Sequence, residues 1–483
     1  MVALANSARV TSSKSKLRIL FASSEAAPIA RVGGLAEAAA GLVRSLRRSD
    51  AVELTVVLPD YSGTPLKGEA TRALEVPAWV GDASVRSGTA PELGKIDLVT
   101  VPGIARPNPY VDADGNGWED NEERFFGFSA AVAAMANGGD FDLLHLNDWH
   151  TALALAMVDI PTVFTIHTLG YQGRADRTWV ELLGGDKMVH FDRGDHLNPV
   201  AGAIALADTV VAVSPTYARE ICKPYRGEGL HLDLLEREDD LVGICNGIDT
   251  ELWDPITDEH VAANYGLSTL DRKAVNTNHL RTLAGWSDDG GVVLGMVTRM
   301  VDQKGIDLVI SLLPYLEHMG VRLFMLGSGE ERLSRWARES AAENPERFHY
   351  IEAYDLALAH QIFAGADFFA MPSRFEPCGL AQMQAMRYGT IPVVAPVGGL
   401  RDTVIDADDY PDLGNGFVAR TVDVAGMVDA LHRGVTAAAD ENRMEDIRRR
   451  AMETDWSWEQ PTGRYVDVYR ETLAKHAAGS AGA

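Results

Sequence analysis

Arg299-Met300-Val301-Asp302-Gln303-Lys304-Gly305 follows directly on the apolar run Gly291–Val297. An apolar run that breaks into a polar, glycine-closed segment and then into a helical pattern is the signature of a parallel strand entering its crossover helix. Two cations five residues apart at that break, before a helix beginning near Gly305, are placed to converge on a diphosphate. There they would stabilise the charge that grows on a departing phosphate, the task a bound metal performs elsewhere. The plain alternative is a pair of solvent-facing cations on a loop.

The same rhythm recurs on both sides of this stretch. Leu17–Ala22, Glu53–Leu58, Asp97–Val101, Asp142–Leu146, Thr162–Ile166 and Thr209–Val213 read as one series of strands. A polar, helix-prone interval at Asp258–Asn276 precedes a second series: Gly291–Val297, Arg322–Leu326, His349–Ile351, Asp367–Ala370 and Ile391–Ala395. Two successive βα series predict an α/β chain with two Rossmann-like, doubly wound domains. We place the first at residues 1–250 and the second at 251–456, with a helical C-terminal segment at 457–483. In such sheets ligands sit beyond the carboxyl ends of the strands, so two facing sheets leave a cleft between them.

The residues just after strands therefore carry the chemistry. After the first strand, Arg31-Val32-Gly33-Gly34-Leu35 offers paired glycines at a helix start, where backbone N–H groups can approach an anion. A tight strand-to-helix turn explains the same pair. Arg374-Phe375-Glu376-Pro377-Cys378-Gly379-Leu380 sets a carboxylate on a rigid turn, suited to sugar hydroxyls and to positive charge developing at an anomeric carbon. Its bland reading is a carboxylate answering a helix dipole. Gly398-Gly399-Leu400 is a second possible phosphate cradle. In the first half, Asp148-Trp149-His150 and His167 with Tyr171-Gln172-Gly173 also follow strands, and rings beside polar tips suit sugar recognition. His150 equally fits a satisfied core histidine. Asp148, His150 and His167 lack the i, i+4 spacing of a metallohydrolase, so no metal site is expected.

The 483 residues carry 46% hydrophobic content and a formal charge of −25. The length exceeds one ordinary core, and the averaged field repels nucleic acid and anionic membranes, so phosphate must be held by a local cluster. Cys222, Cys245 and Cys378 have neither zinc-knuckle nor dithiol spacing and are expected as free thiols in a reducing compartment. Met1 to Lys16 is polar, and no signal peptide or membrane span is recognisable, which predicts a cytoplasmic protein.

Taken in order, Gly33-Gly34-Leu35, Asp148-Trp149-His150, His167, Tyr171-Gln172-Gly173, Ser214-Pro215-Thr216-Tyr217-Ala218, Asn246-Gly247-Ile248-Asp249, Arg299, Gln303-Lys304-Gly305, the Pro372–Leu380 string and Gly398-Gly399-Leu400 resemble bacterial glycogen synthases and plant starch synthases. The resemblance spans about Leu17 to Tyr469. It implies a GT-B fold whose C-terminal helix crosses back onto the first domain. It also implies retaining transfer of glucose from ADP-glucose to the non-reducing end of an α-1,4-glucan, with no cofactor beyond the nucleotide sugar. By the match, Arg299 and Lys304 hold the diphosphate, Glu376 faces the donor sugar and His167 touches it near the reacting centre. Tyr354 lies against the base, and Arg31, Gly33, Gly34, Asn246, Cys378, Gly379, Leu380, Gly398 and Gly399 complete the donor side. Asp148, Trp149, His150 and Tyr171 border the acceptor, whether glucan, maltooligosaccharide or small saccharide.

Four positions depart from the family pattern: Arg31, Thr168, Val200 and Val397, where Lys, Asn, Lys and Thr are usual. Arg forks where Lys is a point charge, so the first change matters beside a phosphate. The departures motivate an alternative, a relative diverted to small-molecule biosynthesis, including a pseudo-glycosyltransferase that joins an activated cyclitol to an amino sugar or oligosaccharide. A catalytically silent glucan- or nucleotide-binding protein is the third reading, opposed by the intact Arg299, Lys304 and Glu376.

Overall fold

The computed structural model describes residues 16–113, 115–287 and 290–482, so the N-terminal segment up to residue 15 lies outside the described residues. Eleven strands precede residue 244: β1 Leu17–Ala22, β2 Val52–Pro59, β3 Lys67–Ala73, β4 Ser84–Ala90, β5 Gly94–Thr100, β6 Leu143–Asn147, β7 Thr162–Ile166, β8 Ala175–Asp176, β9 His196–Leu197, β10 Thr209–Ala212 and β11 Leu241–Gly243. Apart from the small β8–β9 pair, they form one sheet in the order β11-β10-β7-β6-β1-β2-β5-β4-β3. The second sheet is built from β12 Val292–Met300, β13 Val321–Gly329, β14 Phe348–Ile351, β15 Phe368–Met371, β16 Ile391–Val394 and β17 Phe417–Val418. Its order is β14-β13-β12-β15-β16-β17, parallel throughout.

Central strands such as β6, β7, β15 and β16 are buried at every residue, as parallel strands covered on both faces must be. The sequence reading missed β3 and β4, and the reason is physical. They are added antiparallel beyond β5, and β3, Lys-Gly-Glu-Ala-Thr-Arg-Ala, is exposed along its whole length. A polar edge strand has no apolar run to announce it. The interval Asp258–Asn276 contains no strand; it folds into turns, a short helix at Leu267–Arg272 and the start of the helix Lys273–Ala284.

Both sheets reverse direction at a point that matters. From β1 the chain builds outward through β2, then returns to place β6 on the other side of β1. From β12 it builds through β13 and β14, then returns to place β15 beside β12. The loops leaving β1 and β6, and those leaving β12 and β15, therefore flank the two switch points, where crevices open in doubly wound sheets. These four loops carry Gly33-Gly34, Asp148, Asp302 to Lys304, and Glu376 respectively, with Arg299 at the end of β12.

The chain passes between the sheets twice, and the two passages pack together. Ile248 N–H donates to the Trp456 carbonyl at 2.7 Å, and a Cβ on Gly247 would lie 2.6 Å from the Ser457 carbonyl oxygen. Beyond this crossing the helix Glu459–Gly482 lies on the helix Gly34–Arg48 and against β7. Tyr469 reaches through to His145 Nδ1 at 2.8 Å, Thr472 meets Thr209 at 2.8 Å, and His476 meets Asp208 at 2.9 Å. Trp458 fills the space over Gly41, where an added Cβ would stand 1.9 Å from its indole nitrogen.

In an isolated helix, Gly41→Ala would stabilise by about 1 kcal/mol through propensity. Here the methyl collides with Trp458, so we expect net destabilisation of about 1–3 kcal/mol, read as a lowered Tm. A raised Tm would show that the C-terminal helix does not dock in this way.

Candidate functional site

The loops after β12 and β15 are locked to each other. The Arg374 N–H donates to the Gln303 carbonyl at 2.8 Å, and Gln303 Nε2 returns a bond to the Phe375 carbonyl at 3.0 Å. Gly305 has φ +66°, and a Cβ there would lie 2.3 Å from the Pro372 carbonyl oxygen, so only glycine lets the loops approach this closely. The lock brings Lys304 Nζ to 2.5 Å from Glu376 Oε2, which also accepts from Ser373 Oγ at 2.9 Å. Glu376 is only 5% exposed; a carboxylate so buried costs stability unless its oxygens have such partners. Arg374 points elsewhere, forking onto Asp307 at 2.8 and 2.6 Å. Arg299, next to last in β12, is exposed and makes no side-chain hydrogen bond or ion pair among the described residues. A cation without an internal counter-ion, one strand from the Lys304–Glu376 pair, is available to an external anion.

Gly379 (φ +75°) and Leu380 turn the chain into the helix Ala381–Arg387. Gly398 and Gly399 prove to be packing residues, which corrects the reading of a second phosphate cradle. A Cβ on Gly398 would stand 1.9 Å from the Glu376 carbonyl oxygen, and one on Gly399 2.2 Å from that of Cys378. Gly399 N–H donates to the Glu376 carbonyl at 3.0 Å, and Gly398 N–H is taken by the Glu220 carboxylate at 3.2 Å. Cys378 is buried, and its sulfur accepts from the Asn246 N–H at 3.3 Å. The neighbouring Cys245 thiol, together with burial, pushes its pKa well above the usual thiol value, so it is no nucleophile at neutral pH. Tyr354 stands alone with 79% exposure, just before the helix Leu356–Gly365.

In the first lobe, Glu25 organises the glycine loop, a role the sequence reading did not assign. Its Oε2 accepts from Val32 N–H at 2.6 Å and Gly33 N–H at 3.1 Å, while Oε1 accepts from Tyr110 OH at 2.6 Å. Burial and the Glu25 charge hold the Tyr110 hydroxyl well above its ordinary pKa, so it stays protonated and donates. Tyr110 also meets Ser24 Oγ at 2.9 Å, and Ser24 meets His150 Nδ1 at 3.2 Å. His150 is thus a buried histidine with a partner; burial, with help from Arg124, holds its pKa down to about 3. The Gly33 N–H is occupied by Glu25, yet a Cβ at Gly33 or Gly34 would meet no atom within 4 Å, so the ground beside them is open. Arg31 pairs with Glu37 at 2.7 Å.

Asp148 ends β6 in a strained conformation, φ 53° and ψ −178°, a region almost reserved for glycine. Its Oδ1 accepts from His167 N–H at 2.7 Å. His167 Nε2 lies 2.9 Å from Asn147 Oδ1 while Asn147 Nδ2 donates to the Ala22 carbonyl, so Nε2 carries the proton and Nδ1 is left as an acceptor. Burial holds the His167 pKa down to about 3. Trp149 is half-buried, with Gly173 folded closely over its ring, and Tyr171 is 64% exposed. Among the described residues no group of three or more His, Cys, Asp and Glu is arranged to hold a metal ion, and no helix is long and apolar enough to cross a membrane.

The two lobes meet at the Glu376 turn. Ser214 Oγ donates to the Pro377 carbonyl at 2.7 Å, Asn246 N–H reaches Cys378, and Arg226 donates to the Arg374 carbonyl at 2.5 Å. The backbone flanking the second-lobe carboxylate therefore rests directly on the first lobe.

Desolvation raises the Asp148 pKa to about 7, against bonds from the His167 and Thr168 backbone that lower it. An unfolded Asp titrates near about 4, so the folded state holds the proton more tightly and stability is lost as pH rises from about 4 to about 7, then levels. We expect the Tm advantage of Asp148→Asn over the wild type to grow from pH 5 to 7 and then stay constant; Tm curves parallel across this range would contradict a buried Asp148.

Residues 18–236 match the family model described as starch synthase catalytic domain, and residues 286–453 match glycosyl transferases group 1. The glycogen synthase of Halorhodospira halophila is 41% identical over 476 residues, covering 95% of this chain and 99% of that protein. That of Cellvibrio japonicus is 38% identical, with 93% and 98% covered. The catalytic domain of starch synthase IV from Arabidopsis thaliana, solved with ADP and acarbose, superimposes with TM-score 0.83 at 31% identity, covering 95% of this chain and 100% of that one. Sucrose-phosphate synthase from Thermosynechococcus elongatus, at 17% identity and TM-score 0.60, shares the fold. The departures also look different in three dimensions. Val200 and Val397 are 2% and 3% exposed and belong to the core, where apolar side chains serve packing rather than a changed substrate. The chain belongs to the glycogen and starch synthase family and is a hexosyltransferase of GT-B fold.

Proposed function

We propose that this chain transfers glucose from ADP-glucose, with retention, to the non-reducing end of an α-1,4-glucan, the second lobe holding the donor and the first lobe the acceptor. The observation that carries the reading is the Lys304–Glu376–Ser373 cluster together with Arg299, which has no side-chain partner among the described residues, at the switch point of the second sheet. Full-length similarity to glycogen synthases, and to a starch synthase structure described with ADP and acarbose, supports the donor and acceptor classes.

The residues divide the work by charge. Arg299 and Lys304 neutralise the diphosphate as the bond from the anomeric carbon to its oxygen lengthens. Two basic side chains thus take the task that a bound metal performs in other transferases. Glu376, fixed by Lys304 and Ser373, faces the electron-poor sugar carbon. The acceptor hydroxyl forms the new bond and its proton leaves with the phosphate. Asp148 and the His167 Nδ1 acceptor border the acceptor hydroxyls, and Tyr171 and Tyr354 offer exposed rings for sugar and base. Arg31, tied to Glu37, stands beside the glycine loop on the donor side. No observation favours diversion to a cyclitol donor, since Val200 and Val397 lie in the core.

The test is release of ADP from ADP-glucose with glycogen or maltooligosaccharide as acceptor, together with lengthening of the glucan by mass. Lys304→Ala is expected to slow transfer at least about tenfold, equivalent to about 1.4 kcal/mol of transition-state stabilisation. No ADP release by the wild type would sink the reading, and an unchanged rate in the variant would remove Lys304 from the chemistry.

A further inference from the structure

Two short helices, one from each lobe, meet at the contact beneath Glu376, the first turn of each against the last turn of the other. Pro215–Ile221 follows β10 in the first lobe, and Gly398–Thr403 follows β16 in the second. Each start of a helix presents N–H groups without intrahelical partners. Here each is satisfied by a carboxylate of the other helix. Asp402 accepts from Thr216 N–H and Thr216 Oγ1, both at 2.7 Å, at the start of the first-lobe helix. Glu220 accepts from Gly398 N–H, 3.2 Å from each of its oxygens, at the start of the second-lobe helix. Neither carboxylate forms an ion pair with any described residue, so this reciprocal cap is their principal engagement.

The cap is coupled to the reacting side chain through the backbone of the turn that carries it. Gly398 and Gly399 pack at contact distance under Glu376 and Cys378, and Gly399 N–H bonds the Glu376 carbonyl. On the other side, Ser214 caps the first-lobe helix through Tyr217 N–H at 3.1 Å while donating to the Pro377 carbonyl at 2.7 Å. Each capped helix therefore touches the turn that carries Glu376. Any shift of one helix against the other moves that turn relative to the first lobe.

We infer that Glu220 and Asp402 are positioning residues for the transfer: their reciprocal caps fix the Glu376 turn against the acceptor lobe. The inference rests on the transfer reading above, and the two fail separately. Loss of the cap lets the Glu376 turn shift against the acceptor lobe as one unit with the Lys304 loop stitched to it, so the second lobe keeps its grip on the nucleotide. The consequence is a lowered kcat with nucleotide affinity preserved, because misplacement of reacting groups by an ångström costs rate rather than binding.

Steady-state transfer from ADP-glucose to maltooligosaccharide and ADP binding by calorimetry, on full-length variants of native far-UV circular dichroism, test this. Wild-type turnover tests the transfer reading; the ratio of variant to wild type tests the positioning role. Glu220→Ala is expected to lower kcat about tenfold or more, with KM for ADP-glucose and Kd for ADP within about twofold. Glu220→Gln, whose amide oxygen still accepts from Gly398 N–H, is expected to keep kcat within about threefold of wild type. If Glu220→Ala does not fold, Asp402→Ala reads the same contact from the opposite helix. Wild-type kcat in the alanine variants, parallel loss of ADP affinity, or a Glu220→Gln variant as slow as Glu220→Ala would overturn the inference.

Discussion

The ion pair between Lys304 and Glu376 is the contact on which the site depends. A carboxylate this deeply buried needs partners for its oxygens. A lysine from one switch-point loop and a serine from the other supply them, and both loops are stitched by Gln303 and Arg374. Because β12 and β15 are neighbours in the sheet, the stitching is short and backbone-mediated, so the distance between cation and carboxylate is a property of the sheet rather than of flexible loops. The lobe contact at Pro377 and Cys378 then carries that fixed geometry to the acceptor side.

The first lobe uses burial in a different way. His145, His150 and His167 are all held neutral by desolvation, each with a hydrogen-bond partner on a ring nitrogen. They supply fixed dipoles without adding charge to the first lobe. Asp148 is the exception, a strained and buried carboxyl whose affinity for a proton is raised into the neutral range. Backbone strain that persists at one non-glycine residue beside a cleft is the pattern of a geometry maintained for binding or chemistry. Glu25 orders the glycine loop of the same lobe: its carboxylate holds the Val32 and Gly33 N–H groups, and a Cβ at Gly33 or Gly34 would meet no atom within 4 Å.

Much of this was legible in the sequence, for reasons that can be named. Buried parallel strands must be apolar, so eleven of them announce themselves, from Leu17–Ala22 through Ile391–Val394. Arg299, Lys304 and Glu376 stand out in the sequence because their residue types sit at strand ends, where topology places crevices. The polar strand Lys67–Ala73 was invisible because nothing distinguishes it from a loop until a neighbouring edge is present. Glu25 was passed over because its partners are backbone N–H groups seven and eight residues away, which no side-chain pattern marks. Gly398-Gly399 misled because a glycine pair before a helix reads the same whether a phosphate or another backbone comes close; here it is the backbone of Glu376 to Cys378. Val200 and Val397 misled in the converse way, being changes of residue type whose burial only the fold reveals.

The central claim is that one carboxylate, bound by Lys304 and resting on the first lobe, sits across from a diphosphate neutralised by Arg299 and Lys304. A crystal structure with ADP addresses it most directly. The account predicts diphosphate oxygens within hydrogen-bonding distance of Lys304 Nζ and the Arg299 guanidinium, with the Glu376 carboxylate bordering the space beyond the terminal phosphate on the side of Asp148. A diphosphate bound away from both cations, or a Glu376 carboxylate turned out of the gap between the lobes, would contradict it.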